Sequence, residues 1–263
     1  MAQRPTRSLK HEYELYVEQE IDSYKDSLPR SVLLGIGDEA VKVLAAQQQF
    51  VLTEMLLWEE VDRLIVRRLR LPSYTAWRRR RVKLIEELRR PEHWGLTESD
   101  LLVRAVHPSE GNVLLADGDD ESQALYLAAN GCHVTALTSQ EDALERVQQA
   151  AIGAGLSARV DALVGNLSSF TPMLPLNAVI VSPAALARLS GDERTRVIAA
   201  LQSATRDGGV HLVRAIIAGG SHAESGEDVV SLEELRSRYE GWSVTVERTG
   251  VRSRSFLARK GAA

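Results

Sequence analysis

The order of apolar and polar positions divides the chain in two. Across residues 10–28, Leu15, Val17, Ile21 and Leu28 stand among charged neighbours at helical rather than alternating spacing. Pro29 and the glycines Gly35 and Gly37 then punctuate the chain. Beyond Asp38 the apolar residues fall into two sets. Val41, Leu44, Val51, Met55, Trp58, Ile65 and Leu69 form one; Val43, Phe50, Leu57, Leu64 and Leu71 form the other. The pattern predicts one long helix, started by Asp38 and ended by Pro72, with two apolar faces that both need cover. Residues 75–90 predict a further, strongly basic helix. Residues 91–108 read as a connector, packed rather than free because they carry Trp94, Leu101, Leu102 and Val103.

From Asn112 onward the pattern changes to short apolar runs alternating with amphipathic helices. Strands are predicted at 113–116, 133–137, 159–164, 178–182, 210–217, 243–247 and 255–259. Ser139 with Asp142, Ser190 with Glu193, and Ser231 with Glu234 have the spacing of helix-opening capping boxes. Strand–helix alternation of this kind predicts a mostly parallel, seven-stranded sheet covered on both faces. The expected organisation is a helical region over 1–108 and an α/β Rossmann-like domain over 109–263.

Composition narrows the function classes only a little. A net charge of −4 over 263 residues gives no global attraction to nucleic acid or membrane. Cys132 is the only cysteine, so no intrachain disulfide exists. Basic residues at the N-terminus lack an apolar run behind them, and no stretch of about 20 apolar residues occurs. A soluble, cytoplasmic protein is expected, with no membrane partner. The six histidines show no metal-ligand spacing, and the acids at 117–121 lack the spaced pattern of a calcium loop, so no metal is expected. The arginine-rich stretch 63–90, with Tyr74 and Trp77 inside it, could meet nucleic-acid phosphates, an acidic protein partner, or its own Glu59, Glu60 and Asp62.

The run VLLADGDDESQALYLAANGCHVTALTSQEDAL at 113–144 resembles the opening strand–loop–helix–strand of class I S-adenosylmethionine (SAM) methyltransferases. LYLAANG at 125–131 is similar to the tellurite-resistance (TehB-type) branch. The likeness continues in order through VDALVGNLSSF, LNAVIVSPAALARL, RDGGVHLVRAI and LRSRYEGWSV. It covers most of 110–260 and none of the N-terminal helices. It implies SAM as cofactor, with contacts at the positions of Asp117, Gly118, Asp119, Glu121, Thr138, Ser139, Asn166, Leu167 and Ser182. It also implies that Arg248, Arg252 and Arg254, between the last two strands, could hold a substrate oxyanion.

The cofactor positions depart from that family's pattern. Its loop has the form G-x-G-x-G, and those glycines fall on Asp117, Asp119 and Glu121, with Gly118 between. Glycine lets the backbone take positive φ and approach a ligand without a Cβ in the way. The acid expected to bind the ribose hydroxyls is Thr138, the residue beside the adenine is Asn166, and the acid opening the fourth strand is Asn177. Asp117, Asp119, Asp120 and Glu121 would also repel the cofactor's carboxylate. SAM in its usual pose is therefore disfavoured, and the expectation is a methyltransferase-like pseudoenzyme acting by binding or assembly. The alternatives are an active methyltransferase of a small molecule or oxyanion, and a nucleic-acid-associated protein using the basic helix 75–90. The two-faced helix adds an expected homodimer through the N-terminal region.

Overall fold

The computed structural model describes residues 8–46, 54–106, 111–117, 121–217, 230–248 and 253–261. The chain forms two compact units, Met1–Leu84 and Ile85–Ala263. The connector thus belongs to the second unit, as a 3-10 turn, Pro91–Trp94, and helix α5, Leu101–Ala105.

In the first unit lie α1 (Leu9–Ser27), α2 (Arg30–Ala46), α3 (Glu54–Leu69) and most of α4 (Tyr74–Leu88). Ser8 starts α1, its hydroxyl accepting from the His11 N–H. The helix expected to begin at Asp38 begins at Arg30 instead. Gly35 and Gly37 lie inside it, where a Cβ would meet nothing within 4 Å, so neither answers a packing need. Two interior glycines cost about 1 kcal/mol each. Burial of Ile36, Ala40 and Leu44 outweighs that cost and keeps the helix continuous. The single long helix is two helices, packed on each other; Gln48, Phe50 and Val51 of the expected stretch lie outside the described residues. α3 ends at Leu69 and Arg70 takes φ 51°, two residues ahead of Pro72.

One core closes this unit: Ile21 of α1, Ile36 and Ala40 of α2, and Val61, Leu64 and Ile65 of α3. Leu64 and Ile65 come from different predicted faces, yet both point into it. The remaining cover expected over the first set is missing, for Met55 is 69% and Trp58 48% exposed. α4 is held to α1 by aromatic rings: Tyr13 meets Tyr74 and Trp77 at 5.5 Å each, and Tyr16 stacks on Trp77 at 6.1 Å.

The second unit is a three-layer α/β fold. Its strands are β1 (Asn112–Ala116), β2 (His133–Thr138), β3 (Val160–Val164), β4 (Leu176–Val181), β5 (Thr205–Ile217), β6 (Ser243–Arg248) and β7 (Ser253–Arg259). They form one sheet in the order β3-β2-β1-β4-β5-β7-β6, parallel except for β7, which runs against both β5 and β6. All seven predicted strands are present, with ends shifted by a few residues. The helices are α6 (Ser122–Ala129), α7 (Glu141–Gly153), α8 (Pro183–Ala187), α9 (Gly191–Ala204) and α10 (Leu232–Arg238).

Strand alternation sorts the side chains into two cores. Val113, Leu115, Val134, Ile180 and Leu212 face α5, α6 and α7. Leu114, Ala116, Leu137, Val181, Val213 and Phe256 face α8, α9 and α10. After Asn112, β1 is apolar from Val113 to Ala116 without a break because both of its faces are covered. The second core contains a polar thread. Thr205 gives its hydroxyl proton to the Leu201 carbonyl at 2.7 Å, so its oxygen accepts from Nε2–H of His211 at 2.7 Å. Nδ1 of His211 then accepts from the Tyr239 hydroxyl at 2.7 Å. Burial, with Lys260 nearby, pushes His211 down to about 3, so the ring stays neutral.

Candidate functional site

The crevice-forming edge of such a sheet is the carboxyl end of its parallel strands, at the point where successive connections leave on opposite faces. Here that point lies between β1 and β4: the chain leaves β1 for α6 on one face and β4 for α8 and α9 on the other. Asp117, Thr138, Asn166 and Ser182 each follow or end one of the strands β1 to β4 at this edge. Gly118, Asp119 and Asp120 lie outside the described residues.

Asp117 stands at the centre. Its N–H donates to the Leu137 carbonyl at 2.8 Å, tying the end of β1 to β2. Its φ is 47°, the left-handed region where the resemblance calls for glycine. Aspartate tolerates that region better than most residues, because its short carboxylate can bond locally. Oδ1 accepts from the Ser139 N–H at 3.2 Å, and Oδ2 accepts from Nη1 of Arg188. The same Nη1 reaches the Ser139 hydroxyl at 2.9 Å. Arg188 caps the end of α8, so one guanidinium joins the ends of β1, β2 and α8 across the switch point.

This network explains why the box predicted at Ser139 does not form. Its N–H serves Asp117 and its hydroxyl serves Arg188, so α7 begins one residue later, after Gln140, without a side-chain cap. Ser190 and Glu193 do form the reciprocal box, and hydrogen bonding from Ser190 lowers the Glu193 pKa. Ser231 accepts from the Glu234 N–H at 3.0 Å, but the Glu234 carboxylate goes to Arg194 and Arg238 instead.

The other candidate residues are occupied locally. Thr138 Oγ1 accepts from the Gln140 N–H at 3.2 Å. Asn166 Oδ1 accepts from the Ser168 hydroxyl at 2.7 Å and the Ser169 N–H at 3.0 Å, which shapes its own loop. Leu167 is buried in the second core. Ser182 caps α8 through the Ala185 N–H at 3.1 Å. Glu121 precedes α6 without capping it. Asn177 sits at the opposite edge, where its Oδ1 accepts from the Asn112 N–H at 3.2 Å and its side chain fills the space a Cβ on Gly111 would need. A cavity of about 360 Å³ opens there, away from the switch point.

Arg248 and Arg254 face each other across the β6–β7 register, and both are exposed. They share the carboxyl edge with Asp117, but β7 lies three strands from β1, roughly 14 Å at ordinary strand spacing. Arg252 lies outside the described residues. In the first unit the basic stretch is partly paired: Arg63 with Glu59 and Glu60, Arg68 with Glu39, and Arg81 with Glu12. Asp62 pairs with Lys25 instead, at 2.7 Å. Among the described residues no His, Cys, Asp and Glu side chains gather as a metal site, and no helix is long and apolar enough to cross a membrane.

Sequence reasoning missed Arg188. In LNAVIVSPAALARL it is an ordinary helical arginine, and nothing local says that α8 ends beside β1.

No protein-family model matches the chain, and no curated protein matches its sequence. Solved structures do match. TehB from Haemophilus influenzae superposes with a TM-score of 0.53 at 16% identity, over 64% of this chain and 65% of TehB, so the match spans about two-thirds of either protein. The N-methyltransferase NodS from Bradyrhizobium japonicum WM9 superposes with a TM-score of 0.50 at 13% identity, over 61% of this chain and 93% of NodS. At these identities the likeness is one of fold. The second unit has the Rossmann-like fold of the class I SAM-dependent methyltransferases, TehB among them.

Proposed function

We propose that this protein is a methyltransferase-fold pseudoenzyme: it does not take SAM in the usual pose, and it acts by binding or assembly. The observation that carries the reading is the Asp117–Arg188–Ser139 network at the switch point. In the usual pose the cofactor passes over a glycine at the end of β1 and meets an acid at the end of β2. Here the first position holds a side chain committed to Arg188, and the second holds Thr138, whose hydroxyl is engaged by Gln140. The residues described at these two positions do not fit the cofactor. Calorimetric titration of the full chain with SAM and with its demethylated product tests this. Absence of saturable heat in the micromolar range is expected. A saturating isotherm overturns the reading.

The second reading is an active SAM-dependent methyltransferase of a small molecule or oxyanion. It is favoured by one observation, the placing of Arg248 and Arg254 directly opposite each other at the carboxyl edge, where two exposed guanidinium groups offer hydrogen-bond donors that suit an oxyanion. The same titration separates the two, because this reading requires SAM to bind.

A further inference from the structure

The first unit carries two unmatched surfaces of opposite sign. A groove of about 450 Å³ runs along α1. Val17 and Ile21 give it an apolar floor, and Glu14, Glu18 and Asp22 line its rim at four-residue spacing, a stripe about 12 Å long. Lys25 sits at its end, engaged with Asp62 and with the Trp58 ring at 5.5 Å. Among the described residues Glu18 and Asp22 form no ion pair, and Glu14 meets only His11, at 3.8 Å.

α4 offers the complement. Arg79 and Lys83 stand four residues apart, as do Arg80 and Leu84, and all four are exposed. Among the described residues Arg79, Arg80 and Lys83 form no ion pair. Leu84 is 44% exposed, an apolar side chain beside three cations. A helix with an apolar residue flanked by positive charge matches a groove with an apolar floor and acidic rim. Within one unit α4 cannot enter the groove. Tyr74 and Trp77 hold it against Tyr16 and against Tyr13, which closes one end of the groove, and Arg81 is tied to Glu12 at 3.3 Å.

We propose that a second copy of this chain occupies the groove, its α4 placing Leu84 on Val17 and Ile21 and its Arg79 and Lys83 against Glu18 and Asp22. A two-fold axis then makes the contact twice, each copy giving one helix and one groove. The arginine-rich stretch finds its acidic partner in the same protein, and the contact does not depend on what the switch point binds.

The test uses the full chain in analytical ultracentrifugation. A dimer is expected at low salt, weakened roughly tenfold or more by raising ionic strength well above physiological. Glu18→Lys with Asp22→Lys reverses the groove, and Arg79→Glu with Lys83→Glu reverses the helix; each protein alone is expected to be monomeric. Mixed in equal amounts, the two are expected to form a heterodimer, because both contacts are again of opposite sign. All four sites are exposed, and circular dichroism checks that each variant folds; the milder Glu18→Gln with Asp22→Asn serves if a reversal does not, with weakened dimerisation expected. A wild-type monomer at all concentrations, a dimer indifferent to the reversals, or a mixture that stays monomeric overturns the proposal. So does a dimer that appears only when nucleic acid is added.

Discussion

Arg188 and Asp117, 71 residues apart in the chain, form an ion pair that bridges the two halves of the sheet at its switch point. The pair couples a strained backbone to a charge. Asp117 holds φ 47°, and its carboxylate is only 19% exposed, while the guanidinium is 52% exposed.

Substitutions at Asp117 separate these contributions. Glycine removes the ion pair but relieves the left-handed strain, whereas alanine removes the pair and keeps the strain. Asp117→Ala is therefore expected to be less stable than Asp117→Gly by about 1–2 kcal/mol. Arg188→Ala is expected to cost no more than about 1 kcal/mol, because the arginine is half in water. Urea unfolding of the three variants measures the order. Equal stability of the alanine and glycine variants would show that the backbone at 117 is unstrained.

Rebuilding the crevice is expected to raise SAM affinity above that of the wild type. The variant carries Asp117→Gly, Asp119→Gly, Glu121→Gly and Thr138→Asp. Glycine at 117 also frees Arg188 from its anchor. Calorimetry on the folded variant checks the gain. If the affinity does not move, the obstruction lies elsewhere.

Most of the second unit was legible in the sequence because its signals are local. The apolar run of β1 and the box at Ser190 each state their structure within a few residues. Gly35 and Gly37 misled because propensity is a weak force beside the burial of Ile36 and Ala40. The candidate site was legible in half. Asp117 stood out against the glycine expected there, but Arg188 could not, since its role comes from where α8 ends in space. Ser139 misled for the same reason: a capping serine and a serine claimed by a distant arginine look alike in a sequence.

Arg194 supplies a stability prediction. It is 3% exposed and donates to both Glu234 oxygens, at 2.7 and 2.9 Å, and to the carbonyls of Leu186 and Leu189. Arg194→Ala would remove the side-chain donor to the Leu189 carbonyl and to part of the Glu234 carboxylate, and would leave the Leu186 carbonyl to backbone N–H groups alone. Removing one partner of a buried pair costs about 3–5 kcal/mol, with the remaining Arg238–Glu234 pair favouring the lower end. Thermal and urea unfolding should show this loss. A change below about 1 kcal/mol would mean that α8, α9 and α10 do not depend on the network.

His211 makes stability depend on pH. Burial, helped by Lys260, holds its folded pKa at about 3, below the ordinary 6.5 of the unfolded chain. Between those values the unfolded state binds a proton that the folded state refuses, so the stabilisation is complete above about pH 6.5 and is lost as pH falls toward 3. The slope is about 1.4 kcal/mol per pH unit inside that window. Glu234 acts in the same direction at lower pH. Burial alone would raise its pKa, but Arg194 and Arg238 hold it below 4.5, and its contribution fades only as pH falls through that range. The interval from pH 6.5 to 5 therefore reports on His211. His211→Gln keeps a polar side chain between Thr205 and Tyr239 without a proton to gain, and it is expected to be less stable at pH 7 yet nearly flat across that interval. Urea unfolding of both proteins at half-unit steps makes the comparison. A wild-type curve as flat as that of the variant would mean that protonated His211 is tolerated inside the core.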